Sequence, residues 1–234
     1  MEIKPDARKV SHSVIPESTK QETVVRSSIT EVRRYPNRAS YDKELLIDIL
    51  RGGFICHVAF QVSGQPFVIP MMYYNDSEFI YLHASPAARI SGSFRAGDPI
   101  AISVVELNGI VLAKGIADNS MNYRSAVIFG TPEEICDDEG KLTFVREWID
   151  KILPGRRENS EMPTNNELKN VSVFRVKLDQ FSVKVRKGGP SEKRTNPEIW
   201  SGVIPFKTKF LEPEFCSTDQ IPDHIRKFIN ARND

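Results

Sequence analysis

Apolar and polar residues alternate in blocks through the middle of the chain. Three apolar runs rich in β-branched and aromatic residues lie at 54–62, 66–74 and 79–84, and two short polar breaks separate them. Runs of this length, joined by turns, predict an antiparallel meander. A helix signal follows directly at 85–95.

Three further strands are indicated at 99–106, 110–117 and 126–130. Between the first two of these, Leu107-Asn108-Gly109 predicts a hairpin turn. Six strands joined mostly by short turns predict a closed antiparallel barrel, so the expected fold class is mainly β with flanking helices.

Two more apolar runs, 171–178 and 181–188, predict a closing hairpin. Helical periodicity predicts helices at 43–53, 142–153 and 223–230. Asp42 is placed to cap the first of these helices.

The domain prediction follows from where these patterns begin and end. Residues 1–30 are polar and aperiodic, which predicts a flexible N-terminal tail. Residues 31–210 are expected to form one barrel domain, and residues 211–234 a C-terminal helical extension.

Composition narrows the function classes. A formal net charge of +1 argues against a nucleic-acid partner, which usually requires a basic excess. Cys56, Cys136 and Cys216 show no CxxC pairing, so we expect no zinc module and no disulfide framework. The chain has no apolar run of membrane-spanning length and no secretory signal, so a soluble, cytoplasmic protein is expected, with a nuclear location not excluded.

The first candidate for chemistry is the junction between the meander and the helix signal. Ser85 suits an N-cap and Pro86 the first helical position, so a helix starting here would present free N–H groups to an anion such as phosphate. Arg89 follows one turn later and could grip the same anion. The alternative is that capping alone explains Ser85.

Pro70 is the second unusual feature, because a proline within a strand cannot donate to the ladder. It predicts a bulge or a pairing gap that leaves backbone groups free for a planar polar ligand. The alternative is a plain edge strand with a kink.

The common catalytic, nucleotide-binding and metal-binding motifs are absent from the sequence. It contains no Gly-x-Ser-x-Gly nucleophile elbow, no Walker loop, no GxGxxG and no metal-ligand spacing. What remains is a predicted anion cradle accompanied by flat aromatic faces. Its candidate basic and hydroxyl residues are Ser85, Arg89, Arg124, Ser125, Lys184, Arg186 and Lys187, and its aromatic candidates are Tyr73, Tyr123 and Trp200.

A family resemblance connects these residues. The runs RYPNRASYD, PFVIPMMYY, IYLHAS, VLAKG, NSMNYRSAVIFG, LPGR and WSGVIP occur in this order between about 33 and 206. Together they resemble the flavin-nucleotide-binding proteins of the pyridoxamine 5′-phosphate oxidase-like superfamily, relatives of the nitroimidazole-resistance proteins. The resemblance implies a six-stranded split β-barrel of the FMN-binding type.

The resemblance also implies a cofactor site for FMN. Backbone atoms of one strand would contact the isoalloxazine ring, ribityl and phosphate contacts would come from the next strand and helix, and a neighbouring strand and a covering Trp would complete the site, with FMN between the chains of a homodimer. In this sequence the corresponding residues are Val68, Ile69, Pro70, Met71, His83, Ser85, Arg89, Asn122, Tyr123, Arg124, Ser125 and Trp200.

Two departures from the family pattern leave the activity open. Asn119 stands where the family often has His, and the Tyr-x-x-Ser-Arg-Pro-like motif for substrate phosphate is absent. The first hypothesis is an FMN-dependent oxidoreductase acting on an unidentified small molecule, and no catalytic residue is assigned. The second is a flavin-binding protein without turnover, and the third is a haem-binding relative that uses His83.

Simpler interpretations of single residues also stay open. His83 could be a hydrogen-bonded structural histidine, Arg124 an internal ion-pair partner, and Trp200 part of the core.

Overall fold

A long antiparallel sheet forms most of the computed structural model, which describes residues 26–191, 193–218 and 220–233. The strands are β1 Ala39–Ser40, β2 Ile55–Val62, β3 Gln65–Asn75, β4 Phe79–Ala84, β5 Ile100–Leu112, β6 Ser120–Gly130, β7 Glu133–Ile135, β8 Ser172–Lys177, β9 Phe181–Arg186 and β10 Gly202–Pro205. The helices are α1 Lys43–Gly52, α2 Arg89–Arg95, α3 Asp138–Ile152, α4 Asn165–Lys169 and α5 Asp223–Asn233, with 3₁₀ turns at Pro36–Arg38, Ile116–Asp118 and Arg157–Asn159.

The strands follow the order β1-β9-β6-β5-β2-β3-β4-β8-β7, and β10 pairs with β5. The sheet curls into a split barrel with flanking helices, which confirms the predicted fold class. The predicted count of six strands is wrong, since the described residues contain ten. Strands such as β1 and β7, with two and three residues, are too short to give an alternating pattern.

The predicted hairpin at Leu107-Asn108-Gly109 is wrong as well. β5 runs through these residues as one strand of 13 residues, and its register to β6 shifts between Leu107 and Gly109. A side chain at Gly109 would meet the backbone of β10, 3.0 Å from the Ile204 carbonyl oxygen. The glycine therefore serves a bulge and a close strand contact, a role that glycine also has in strands.

Helices α1 and α2 pack against the barrel core. Asp42 caps α1 as predicted, because its side chain accepts a hydrogen bond from the Glu44 N–H at 2.9 Å. Leu46 and Leu50 of this helix are fully buried, and the Leu50 carbonyl accepts the Tyr73 hydroxyl at 2.8 Å. Tyr73 is thereby part of the core, so it has no free face for the predicted stacking.

On α2, the Ser93 hydroxyl donates to the Gln61 carbonyl at 3.0 Å, and Phe94 packs edge-on against Phe174 at 5.0 Å. The two helices thus fix opposite parts of β2 and β3 relative to the core, because Tyr73 and Gln61 lie at different ends of this hairpin.

Residues 1–25 of the predicted tail lie outside the described residues. Of the remaining five, Thr30 is buried, and the Arg26 guanidinium lies 4.8 Å from the Tyr41 ring centroid.

At the other end of the chain, Asn233 of α5 exchanges two 2.8 Å hydrogen bonds with the backbone of Phe210. None of the described helices has both the length and the apolar character needed to cross a bilayer.

Candidate functional site

One side of β3 is unpaired over most of the length of the strand. β3 pairs with β2 along Gln65–Met72, whereas its pairing with β4 covers only Tyr73, Tyr74 and Asn75. The backbone from 65 to 72 therefore has a strand partner on one side only. Pro70 lies on this unpaired side, and the register to β2 shows no bulge there, which fits the predicted pairing gap and also the alternative of an edge strand.

The phase of β3 decides which backbone groups face this gap. The Tyr73 N–H donates to the Phe54 carbonyl on the β2 side, and successive residues of a strand point their backbone groups in alternate directions. Val68 and Pro70 consequently face the gap, as does Pro66. Both prolines occupy positions where the ladder to β2 needs no N–H, which is where strands tolerate proline.

The gap has an accessible polar strip with apolar surroundings. Val68 offers an N–H and a carbonyl group, and Pro70 a carbonyl group. The Val68 side chain is 64% exposed and that of Ile69 is 37% exposed, whereas Met71 points into the core. A flat ligand with hydrogen-bonding groups along one edge could replace the missing strand here.

The other side of the gap is the segment between β4 and α2. Its carbonyl at Ser85 accepts hydrogen bonds from the Ala88 N–H at 2.9 Å and the Ser91 hydroxyl at 2.7 Å. The predicted N-cap role of Ser85 is wrong, because α2 begins at Arg89 and its N-cap is Ala88, without a side-chain bond. The tight turn at Ser85 delays the helix by three residues.

Arg89 is the cation of this segment. Its guanidinium lies over the Phe67 ring of β3, 4.5 Å from the centroid. No carboxylate of the described residues lies within 4 Å of it. We call the space bounded by Val68, Pro70, Ser85 and Arg89 the β3 slot.

His83 lies on β4, two residues before Ser85, and faces α3. Its ring centroid is 5.7 Å from that of Phe144 and 5.2 Å from that of Trp148. Its Nδ1 atom is buried with no hydrogen-bond partner among the described residues. Burial lowers the pKa of His83, so the ring is neutral at physiological pH.

Arg124 lies elsewhere and is already paired. It forms ion pairs with Glu106, Nη2 to Oε2 at 2.6 Å, and with Asp48 of α1. By strand register it is level with Phe54, whereas Arg89 is level with Phe67 at the other end of the β2–β3 hairpin. Six residues of strand span about 20 Å, so one chain does not bring Arg89 and Arg124 to a common ligand.

The other predicted residues of β6 are also apart from the β3 slot. The Asn122 amide bonds Arg186 and the Gly188 carbonyl, the latter at 3.1 Å, and the Ser125 hydroxyl donates to the Lys184 carbonyl at 3.4 Å. Tyr123 is half-buried and pairs in register with Leu107 and Arg186.

Trp200 is not part of the core. Its side chain is 64% exposed, and its ring covers Gly202, where a Cβ would lie 2.7 Å from the indole Cζ2. It precedes β10, which pairs with β5 at 109–112 on the same edge that β2 occupies at 101–103, so Trp200 lies several residues further along β5 than the level of the β3 slot.

The outer face of β2, β3, β5 and β6 is a partly exposed and mostly apolar surface. Cross-strand rows run from Val68 through Ala59 and Ala101 to Phe129, and from Pro70 through His57 and Ser103 to Val127. Val105 and Ile55 beside these rows are 50% and 46% exposed. We call this the outer face; it borders the β3 slot.

One polar group under α5 was not anticipated. Lys151 of α3 donates to the Leu50 carbonyl at 3.0 Å and to Asn75 Oδ1 at 3.2 Å, and its Nζ lies 3.6 Å from the Tyr73 ring centroid. It lines a cavity of about 310 Å³ that Arg232 of α5 also borders. Burial lowers the pKa of Lys151 to about 7. In the sequence, Lys151 is marked only as one of two charged residues among the four apolar residues of WIDKIL.

Comparison with known proteins supports one fold family. A solved structure described as the flavocytochrome Anf3 from Azotobacter vinelandii is 29% identical, with a TM-score of 0.79, and the match covers 86% of this chain and 96% of that chain. One described as an FAD and heme binding protein from Mycobacterium smegmatis is 26% identical, with a TM-score of 0.72, and covers 82% of this chain and 97% of that one.

A third structure, described as a putative 5-nitroimidazole antibiotic resistance protein from Bacteroides thetaiotaomicron, shares the fold at 23% identity and a TM-score of 0.54, covering 63% of this chain and 86% of that one. No curated protein matches the sequence. The profile described as pyridoxamine 5′-phosphate oxidase matches residues 42–185. The chain therefore belongs to the pyridoxamine 5′-phosphate oxidase family and has its flavin-binding split-barrel fold.

Proposed function

We propose that the β3 slot binds FMN and that the protein is an FMN-dependent oxidoreductase. The observation that carries the proposal is the unpaired side of β3. Its backbone groups at Val68 and Pro70 lie beside Arg89, which has no carboxylate partner among the described residues. A flavin matches both features, because its ring system has a polar edge and its phosphate is a dianion.

The residues present fit this cofactor chemically. Val68 and Pro70 supply backbone donor and acceptor groups for the ring edge. Arg89 supplies guanidinium donors for the phosphate, and Ser85 a hydroxyl beside it. When bound, the flavin supplies the redox chemistry, while the protein binds and orients it.

FAD is the alternative within the same proposal. The Mycobacterium smegmatis structure is described as an FAD and heme binding protein, and an adenylate extension would need room beyond Arg89. Titrating the purified protein with FMN and with FAD, followed by fluorescence quenching, distinguishes the two. Tighter binding of FAD would overturn the assignment of FMN, and failure of both to bind would overturn the proposed site.

The proposal includes a homodimer formed through the outer face. Support comes from the exposed apolar rows on this face, since contiguous apolar patches mark interaction surfaces. In such a dimer the partner's Trp200, Tyr123 and Ser125 are candidates to complete the cofactor site. Light scattering should give twice the chain mass, and Val105→Lys, at a half-exposed position of the face, should give monomers. A wild-type monomer would refute the dimer.

Turnover is tested separately from binding. Reduced nicotinamide nucleotide should bleach the flavin absorbance of an oxidoreductase. A flavin that binds tightly but is never reduced would favour the second candidate, a flavin-binding protein without turnover. The Asn119 departure supports that candidate, because Asn119 accepts the Ala113 N–H at 2.8 Å and is already used structurally.

A haem-binding function through His83 is the third candidate. The buried Nδ1 atom of His83 supports it, because this atom has no hydrogen-bond partner in the part of the chain that the structure describes. The description of one relative as a flavocytochrome also supports it. However, Phe144 and Trp148 cover the ring, so α3 would have to move. A Soret band on haem titration that His83→Ala abolishes would support it, and an unchanged band in that variant would exclude His83.

A cytoplasmic location belongs to the same proposal. The free thiols of Cys56, Cys136 and Cys216 are compatible with a reducing compartment. Fractionation of the source cells tests it.

A further inference from the structure

We propose a second anion site, formed by Arg34, Tyr35, Arg38 and Lys184, that binds the diphosphate group of a dinucleotide. The inference rests on the proposed redox function, since it adds a nucleotide site to a flavoprotein. We call these four residues the Tyr35 cluster.

Three cations surround one aromatic ring in this cluster. The Arg38 guanidinium lies 4.3 Å from the Tyr35 ring centroid, the Arg34 guanidinium 5.5 Å, and the Lys184 ammonium 5.8 Å. Tyr35 itself is 48% exposed, so a ligand can reach the cluster from solvent.

The backbone holds this arrangement in place. Tyr35 adopts a left-handed conformation with φ 57° and ψ 58°, which is unfavourable for a residue with a bulky side chain. The Arg38 N–H donates to the Tyr35 carbonyl at 3.0 Å, and Lys184 Nζ donates to the Arg34 carbonyl at 3.0 Å. The turn thereby places Arg34 and Arg38 on the same ring.

Within the described residues, the cations of the cluster have no carboxylate partner, unlike the neighbouring Arg33. Arg33 pairs with Glu31 at 3.2 Å. By contrast, no carboxylate of the described residues lies within 4 Å of the charged groups of Arg34, Arg38 or Lys184.

No carboxylate of the described residues balances the three positive charges of the Tyr35 cluster. Like charges this close repel one another, and a cation over an exposed aromatic face gains only about 0.5–1 kcal/mol. The Arg34 guanidinium, by hydrogen bonding and charge, lowers the pKa of the Tyr35 hydroxyl, which reports a positive potential at that oxygen. An anion bound here would relieve the repulsion.

The cluster is too far from the β3 slot to hold the same phosphate. By strand register Lys184 of β9 is level with Ser125, Val105, Ile55 and Met72. Arg89 lies over Phe67, five residues or about 17 Å further along β3. The cluster therefore serves a different phosphate group from the one assigned to Arg89 of the same chain.

The donor set favours a diphosphate over a single carboxylate. Two planar guanidinium groups can each bind phosphate oxygens in a bidentate manner, and the ammonium and the phenol add single donors. A dinucleotide diphosphate carries two negative charges on adjacent groups. Two molecules could supply this diphosphate group: FAD held by a second subunit, or a nicotinamide dinucleotide that donates electrons.

The first experiment is calorimetric titration of the full chain with inorganic pyrophosphate. We expect binding that weakens at least tenfold in Arg34→Gln/Arg38→Gln, while Arg33→Gln, the matched neighbour paired to Glu31, binds as the wild type does. Lys184→Met gives a second, independent variant if the double variant does not fold. Absence of binding by the wild type, or equal binding by the double variant, would overturn the site.

The second experiment distinguishes the sources. A loss of FAD affinity in the double variant, with FMN affinity retained, would identify flavin; a raised KM for reduced nicotinamide dinucleotide, with flavin affinity unchanged, would identify the electron donor. If neither changes, the dinucleotide assignment is wrong. Pyrophosphate binding without any flavin binding would leave this site standing and reject the proposed function instead.

Discussion

A proline scan of β3 tests whether its backbone binds the flavin. Val68→Pro removes one N–H that faces the gap, at a position in phase with Pro66 and Pro70. Folding should tolerate it, because the ladder to β2 does not use this N–H and the side chain is 64% exposed. Flavin binding should weaken, because the ring edge loses one hydrogen bond.

The magnitudes follow from the hydrogen bonds concerned. One neutral hydrogen bond contributes about 0.5–1.5 kcal/mol, which corresponds to about 2- to 13-fold in the flavin dissociation constant. The matched control is Ile69→Pro, whose N–H faces β2 opposite Val58. Ile69→Pro leaves the Val58 carbonyl without its hydrogen-bond donor. This should lower the free energy of unfolding by about 1–3 kcal/mol and the melting temperature by about 2–12 °C.

The assay is fluorescence titration with FMN alongside thermal unfolding of the apoprotein. The expected pattern is weaker FMN binding with little change in melting temperature for Val68→Pro, and a lower melting temperature for Ile69→Pro. Unchanged FMN affinity in Val68→Pro would show that the backbone at the β3 slot is not the binding edge. A large fall in its melting temperature would show instead that the phase assigned to β3 is wrong.

Three further variants test other parts of the structure. Arg89→Met should weaken FMN binding about 10- to 150-fold, because charge-assisted hydrogen bonds contribute about 1.5–3 kcal/mol; an unchanged titration would place the phosphate elsewhere. Arg124→Met should lower the free energy of unfolding by about 1 kcal/mol in urea titrations, because Glu106 and Asp48 lose their partner at a partly exposed site; no change would show that these ion pairs are not stabilising. In the folded protein the pKa of Lys151 is about 7, which is lower than in the unfolded chain. Between pH 7 and about 10 the unfolded state therefore binds more protons than the folded state, so the free energy of unfolding should rise with pH across that window. Lys151→Met should show a smaller rise between urea titrations at pH 7.5 and 9.5, and an identical rise in both proteins would contradict this.

The sequence predicted the elements whose signals are local and strong. The cap at Asp42 and the meander through β2, β3 and β4 match the structure because alternation, capping and short polar turns act within a few residues. Pro70 indicated an unpaired side of its strand for the same kind of reason, since a missing N–H constrains pairing at its own position.

Other features depended on residues far away in the chain. Asn108-Gly109 carries a hairpin signal, but pairing with β6 and β10 keeps β5 continuous. The sequence left open whether Arg124 binds an anion or forms an internal ion pair, and the fold shows the ion pair because α1 brings Asp48 beside it. No local pattern reports either contact, and the membership of the predicted cofactor site stays a prediction for that reason.

The prolines of β3 have a consequence for solubility. A strand with unpaired backbone groups can form a ladder with a strand of another chain, which is a common route to aggregation. At Pro66 and Pro70 this strand can accept but not donate, so an incoming peptide would lack every second backbone donor along this edge. A small ring system needs only one or two backbone hydrogen bonds. The unpaired side of β3 can thus bind a cofactor while it resists the addition of further chains.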